Sequence, residues 1–329
     1  MHRPVRHVVA ALVLLAGTAA CTTGSDELDP GAAADPSGAF PVTVEHTFGA
    51  TTVPAAPQRV VTVGFNEQDF ALALGTTPVG VRDYLGYDHQ TRPWAVDLLP
   101  TDPLPTVGAA EINVEAVAAL EPDLILGVYS FMDEATYRQL SAIAPTVAES
   151  ADHPTGATPW QEQTRMTGRA LGEADAAQAL VDEVDARFAD VRASHPGWAG
   201  RPLALDYSLD GHYLLGTDDL RTVFFTDLGF SVDPTSSPLS AERLDLLDRD
   251  VLVVGGAGAD TYADDPLFQA LDVVADDRTV YLGAFDTDLL GALGFASPLS
   301  LPYALDAVVP ALAAAGDDDP ATAVTQPAA

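Results

Sequence analysis

Residues 173–194, EADAAQALVDEVDARFADVRAS, constrain what this chain can fold into more than any other stretch. Ala177, Leu180, Val181, Val184, Phe188 and Val191 recur at helical spacing on one side, with Asp182, Glu183, Asp185, Asp190 and Arg192 elsewhere. Gly172 ends the segment before it, and His195-Pro196-Gly197 stops it. About 22 residues at a rise of roughly 1.5 Å make a rod of roughly 33 Å, long enough to bridge two lobes. The plain alternative is a helix lying on one core, and the flanks decide between the two.

On both sides short apolar runs alternate with helical segments. Val60 to Val63, Val79 to Val81, Leu124 to Val128 and Thr146 to Ala148 read as strands, separated by helices over Asp69 to Leu74, Val114 to Leu120 and Ala135 to Ile143. Asn66 is expected to cap the first of these helices, and Thr158 a helix that opens Pro159-Trp160-Gln161 and ends at Leu171. Beyond the rod the alternation restarts. Strands are expected at Leu203 to Tyr207, Val251 to Val254 and Thr279 to Leu282, a loop at Asp233 to Pro238, and helices near Leu220 to Leu228, Ala241 to Leu247, Leu267 to Val273 and Ala304 to Ala314. The fold class that follows is α/β: two lobes with mainly parallel sheets, joined by one long rigid helix.

The ends are of another kind. His2, Arg3, Arg6 and His7 precede the apolar run Val8 to Leu15 and the small residues Ala16 to Ala20, the pattern of an export signal too short to span a bilayer. Cys21 is the single cysteine, so no disulfide, thiolate zinc cluster or Cys–His pair can form within one chain. Thr18-Ala19-Ala20-Cys21 resembles a bacterial lipoprotein signal, which implies lipidation at Cys21 and a protein anchored to the outer face of the cell membrane. The expected division is a lipoprotein signal peptide at 1–20, a flexible tether at 21–39, an N-terminal α/β lobe at 40–158, a helix pair at 159–195, a C-terminal α/β lobe at 196–315 and a disordered tail at 316–329.

Charge removes several function classes. The formal net charge is -33, and the fifteen basic residues are all arginines. Such a surface repels nucleic acid, and a chain without lysine has neither a P-loop nor a Schiff-base nucleophile.

Pro57-Gln58-Arg59-Val60-Val61, the run Leu72 to Val81, and above all Asn113-Val114-Glu115-Ala116-Val117-Ala118-Ala119-Leu120-Glu121-Pro122-Asp123-Leu124-Ile125-Leu126 resemble the iron–siderophore binding proteins of ABC importers. The likeness runs from Phe40 to Ala314 and includes Leu239-Ser240-Ala241-Glu242-Arg243-Leu244. It implies a ligand cleft between the two lobes, and a monomer that is not an enzyme and carries no cofactor. Its ligand would be a ferric siderophore whose iron needs no protein ligand, delivered to a permease driven by a cytoplasmic ATPase. In that family an acidic residue on each lobe pairs with permease arginines, and the matching positions are Glu115 and Glu242. By themselves both are also simply acids near helix N-termini.

Ligand groups in α/β lobes project from loops at the carboxyl ends of strands. That rule points to Phe65, to Arg82, Asp83, Tyr84 and Tyr87, to Trp94, and to Tyr129, Ser130 and Phe131 in the first lobe. In the second it points to Asp206, Tyr207, Tyr213, Arg221, Phe285 and Phe295. Aromatic walls with a few arginine donors suit an oxygen-rich chelate, although Arg82 and Arg221 could equally be paired with Asp83 and Asp219. The overall acidity favours a neutral or cationic hydroxamate over a strongly anionic catecholate.

Other readings stay open at this level. A haem or corrinoid would suit the same plan. A direct metal carrier would need convergence of scattered residues such as His46, His89, His153, His195 and His212. Gly255-Gly256-Ala257-Gly258 follows a strand as a dinucleotide fingerprint does but lacks its third glycine, which weighs against an oxidoreductase. No Gly-x-Ser-x-Gly occurs.

Overall fold

A computed structural model of the chain describes residues 39–83, 90–208, 211–317, 319 and 322–328. The first element is a hairpin, β1 (Val42–His46) and β2 (Gly49–Val53), paired antiparallel with Val42 opposite Val53. Its period-two pattern sends Val44 and Val53 into the core and leaves Thr43 and Thr52 outside, their hydroxyls 3.1 Å apart.

β3 (Val60–Thr62) leads to α1 (Glu67–Ala73), α2 (Val114–Ala119), β4 (Leu124–Gly127), α3 (Glu134–Ser141) and β5 (Thr146–Ala148). β3, β4 and β5 form a parallel sheet with Val61 level with Ile125 and Ile125 level with Thr146. All of their residues are buried, as a parallel sheet covered on both faces requires. Val60, Leu124, Leu126 and Val147 pack with the hairpin, whereas Val61, Ile125 and Ala148 pack with Val117 of α2 and Leu140 of α3. Val79 to Val81, expected as a full strand, joins this sheet only through a single bridge, Val61 to Gly80, with a further bridge from Val81 outward to Thr106. Pro78 has no N–H to give and Gly80 no side chain to pack, so the ladder stays short.

α4 (Trp160–Leu171) and α5 (Ala174–Ser194) follow as an antiparallel pair. A Cβ on Gly168 of α4 would sit 2.2 Å from the Cβ of Ala177, so only glycine permits this approach. The expected caps do not form. The N-cap of α4 is Pro159, and Asn66 at the N-cap of α1 makes no side-chain cap bond. Thr158 and Asn66 are buried at the wall of a small cavity, so tertiary packing rather than local capping sets them.

The rod itself is present. Ala177, Val181, Val184 and Phe188 of α5 are buried and Leu180 and Val191 half-buried. It begins against α4, which leans on α1 and the hairpin, and ends against the second lobe. There Arg187 pairs with Asp306 at 2.5 Å, and Arg192 donates to the carbonyl of Asp227.

The second lobe contains β6 (Leu203–Tyr207), β7 (Tyr213–Leu215), α6 (Val223–Asp227), β8 (Ser237–Pro238), β9 (Val251–Gly255), α7 (Pro266–Gln269), α8 (Asp272–Ala275), β10 (Thr279–Tyr281), α9 (Asp288–Gly294) and α10 (Ser300–Ala315). The sheet runs β10-β9-β6-β7-β8, parallel across the first three strands and antiparallel at β7 and β8. Residues 241–247 form a 3-10 helix kinked at Arg243.

Part of the tail expected to be disordered is docked. Val324 is buried with its N–H on the Asp277 carboxylate at 3.1 Å. The Gln326 amide accepts from the Tyr281 N–H at 2.8 Å and donates to the Thr279 carbonyl at 2.9 Å. One side chain thus imitates a neighbouring strand and covers part of the β10 edge.

The two sheets are separate, but the apolar core is not. Phe70 and Trp160 join Val181, Val184 and Phe188 of α5 in one cluster with Leu203, Phe224, Leu290 and Leu305 of the second lobe. Asp69 adds a polar seam, accepting from Trp94 Nε1 at 2.8 Å and from Ser297 Oγ at 3.0 Å. Both lobes thus belong to one compact unit.

Candidate functional site

The carboxyl ends of the parallel strands in both lobes face a common cleft of about 670 Å³, within the range that takes small-molecule ligands. The first lobe supplies Phe65 after β3, Tyr129 and Phe131 after β4, and Thr155, Gly156 and Ala157 after β5. From the second come Tyr207 at the end of β6, Asp218 to Arg221 after β7, Phe285 after β10, and Leu290, Gly291, Gly294 and Phe295 on or just after α9. A second cavity of about 50 Å³ shares Tyr129, Leu220 and Gly294 with the cleft and is otherwise lined by such residues as Trp160, Phe188 and Phe224.

The walls are aromatic. Phe65, Tyr129 and Phe131 lie within 6.3 Å of one another by ring centroids, and Tyr207 meets Phe285 edge-on at 4.8 Å. Phe131 is 47% exposed, the wall ring most open to solvent. Gly156 supports it: φ is +74°, and a Cβ there would meet the Phe131 ring at 2.3 Å.

The two candidate arginines differ. Arg82 is buried, and its guanidinium donates to the carbonyls of Ala109, Val63, Ser130 and Ala110, with Cζ 4.2 Å from the Phe65 centroid. It holds the wall from behind and does not line the cleft. Arg221 does line it, 4.0 Å from the Tyr207 centroid, with Nε and Nη2 on the Asp219 carboxylate at 2.8 and 2.6 Å. Although burial opposes the charge on Arg221, the Asp219 bonds outweigh it and raise the Arg221 pKa further. Asp219 titrates below the usual carboxylate range: burial works against its charge, but the bonds from Arg221 prevail.

One acid behind the wall was not singled out in the sequence. Glu67, fully buried at the start of α1, accepts from the backbone N–H of Tyr129 and of Asn66. Burial pushes its carboxyl up to about 7, against the lowering effect of those N–H groups and of Arg82.

A family model for periplasmic binding proteins matches residues 61–284. The chain belongs to the periplasmic binding protein family. It is 33% identical over 195 residues to the probable siderophore-binding lipoprotein YfiY of Bacillus subtilis (strain 168), covering 57% of this chain and 56% of that one. The aligned part is thus little more than half of that relative. Among solved structures, a periplasmic solute binding protein from Mycobacterium smegmatis str. MC2 155 superposes with a TM-score of 0.75 at 35% identity, over 83% of this chain and 97% of that one. The iron uptake ABC transporter substrate-binding protein PiaA from Streptococcus pneumoniae TIGR4 superposes with a TM-score of 0.67 at 25% identity, over 84% and 100%. Periplasmic binding proteins are solute binders, and the likeness in fold extends over both lobes.

Of the residues picked from the sequence, the structure brings Phe65, Tyr129, Arg221 and Phe285 into the cleft lining, together with Phe131, Tyr207 and Phe295. Trp94 does not line it; its ring packs on Tyr303 at 5.3 Å and its Nε1 is bonded to Asp69. Tyr213 opens β7, one strand farther out than Tyr207, and is 39% exposed outside the lining. Tyr84, Tyr87 and Cys21 lie outside the described residues. Glu115 and Glu242 are exposed in the first turns of α2 and of the 241–247 helix.

The sequence picks missed Thr155 to Ala157, Asp218, Leu220 and the α9 residues. The rule about strand ends would have reached 155–157, since β5 was expected as a strand. α9 gave no signal, because its glycines at 291 and 294 weaken the helical pattern. Among the described residues no group of three or more His, Cys, Asp or Glu is placed to hold a metal ion. No described helix is long and apolar enough to cross a membrane.

Proposed function

We propose that this periplasmic binding protein captures a ferric siderophore in the cleft and delivers it to the permease of an ABC importer driven by a cytoplasmic ATPase. The observation that carries this reading is the cleft itself: about 670 Å³, walled by six aromatic rings and opened at the strand ends of both lobes. A siderophore saturates its iron with its own oxygens, so its host needs an apolar cradle and a few polar anchors rather than metal ligands. The names of YfiY and PiaA support the iron-uptake assignment. Export and lipid attachment at Cys21 belong to the same proposal, supported by the signal-like sequence and by the lipoprotein name of YfiY.

Titration of intrinsic fluorescence with ferric hydroxamates, catecholates and citrate should saturate for at least one of them at about micromolar concentration or below. Gly294→Phe should abolish that signal without loss of fold, because a Cβ at Gly294 meets nothing within 4 Å and the ring would extend into the cleft. Flat titrations throughout, or an undiminished signal in the variant, would remove the assignment.

Glu115 and Glu242 are assigned to docking on permease arginines, as exposed carboxylates carried one by each lobe. The Glu115→Ala/Glu242→Ala variant should bind chelate normally and fail in reconstituted uptake; unimpaired uptake would refute the docking role.

A further inference from the structure

The charge on the cleft wall narrows the chelate class, an inference that rests on the siderophore reading above. Among the described residues, the acids and bases that line the cleft are Asp218, Asp219 and Arg221, alongside the phenols Tyr129 and Tyr207. Two carboxylates against one guanidinium leave a negative charge in surplus. Asp219 occupies the Nε–Nη2 edge of Arg221, one of the edges on which a guanidinium grips a carboxylate with two bonds. Asp218 accepts from the N–H and hydroxyl of Ser236 at 2.9 and 2.6 Å.

Among the described residues the two further arginines near this wall are engaged elsewhere, although the Arg92 guanidinium lies directly behind Gly291 of the lining. Arg82 has its donors on four backbone carbonyls behind Phe65. Arg92 is buried and paired with Asp288 at 2.9 Å. The stretches 84–89 and 209–210, outside the described residues, read YLGYDH and LD and hold neither arginine nor lysine. Around this wall the chain carries a formal charge of -33.

We infer that the cleft selects ferric chelates of zero or positive net charge, namely hydroxamates and their amine-bearing forms, over anionic catecholates and carboxylates. Hydroxamate groups bring one negative charge apiece and cancel the ferric charge, whereas catecholates bring two and leave the complex strongly anionic. Drawing such an anion out of water against a wall with a negative surplus costs desolvation, and the one guanidinium of the described lining, Arg221, is already shared with Asp219. The aromatic rings present negative faces that attract a pendant ammonium. Long-range repulsion acts in the same sense before contact, slowing anions and speeding cations.

The test is titration of the full chain with four probes: ferrioxamine B, which bears a pendant ammonium; ferrichrome, which is neutral; ferric enterobactin; and ferric dicitrate. Both hydroxamates should bind at least about 100-fold more tightly than either anion, and added salt should slow the association of ferrioxamine B. Equal or tighter binding of an anionic chelate would overturn this inference and leave siderophore capture standing. If none of the four binds, siderophore capture fails and the inference with it. Asp218→Asn/Asp219→Asn turns the surplus positive and should improve the anionic chelates at least about 10-fold relative to ferrioxamine B. An unchanged ranking in that variant would overturn the charge argument, and Asp218→Asn alone, expected to move the ranking in the same direction, repeats the test with the Asp219–Arg221 pair intact.

Discussion

Each lobe sets an arginine against an aromatic ring at the end of its leading parallel strand, and the two arginines are used in opposite ways. Phe65 follows β3 with Arg82 behind it at 4.2 Å; Tyr207 ends β6 with Arg221 over it at 4.0 Å. Arg82 is spent on backbone carbonyls, which no substitution at those positions removes. Arg221 is held by a side chain, Asp219, and faces the ligand space. The same pair of residue types is thus a pin in one lobe and an adjustable charge in the other, and what separates them is the kind of acceptor that takes the guanidinium.

The comparison breaks most easily at the pin. Arg82→Met strips donors from four carbonyls in a buried site and should cost about 4 kcal/mol or more, read as a fall in the urea midpoint or as failure to accumulate folded protein. An unchanged midpoint would mean that the two arginines are equivalent after all.

Next in size is Glu67, which sits behind the same wall. Its folded carboxyl holds its proton up to about 7, whereas the unfolded chain gives it up near the ordinary glutamate value of 4.5. Below that lower value both states are protonated and the residue contributes nothing to the pH dependence. As pH rises through the interval the unfolded state gains, and above about 7 the full penalty stands, on the order of 3 kcal/mol. Glu67→Gln cannot ionise, so its stability relative to the parent should rise across that interval and level off above it. A difference that is flat with pH in paired denaturation curves would contradict the assignment.

The smallest effect is expected at the adjustable charge. Arg221→Met removes a partly buried ion pair held by one carboxylate and should cost about 1–2 kcal/mol, less than at Arg82, while altering chelate ranking. A loss as large as that at Arg82 would erase the distinction between pin and charge.

The sequence revealed what depends on local pattern and little of what depends on distant partners. α5 was legible because its apolar period is continuous and Gly172 and Pro196 bracket it. The buried strands were legible as short runs of Val, Leu and Ile. The β1–β2 hairpin was not legible, because its two strands are only five residues each and their alternation of Val42, Val44 and Val53 with polar residues offers no continuous apolar run. The fate of Arg82 was not legible, because its acceptors at Ala109, Ala110 and Ser130 lie 27 to 48 residues away. Trp94 was placed by Asp69 and by Tyr303 of α10, neither of which its own loop announces. The strand-end rule reached Phe65, Tyr129, Arg221 and Phe285 because it is a statement about topology, and topology was the part the residue pattern carried.

The core shared by Phe70, Trp160 and α5 with the second lobe bears on how such proteins can be recombined. A chimera that joins one lobe to a foreign counterpart at Pro159 or His195 would divide this seam and pair mismatched surfaces. Crossovers that keep α1, α4, α5 and α10 from one parent, and exchange only the loops at the strand ends, would carry a new specificity onto an intact chassis.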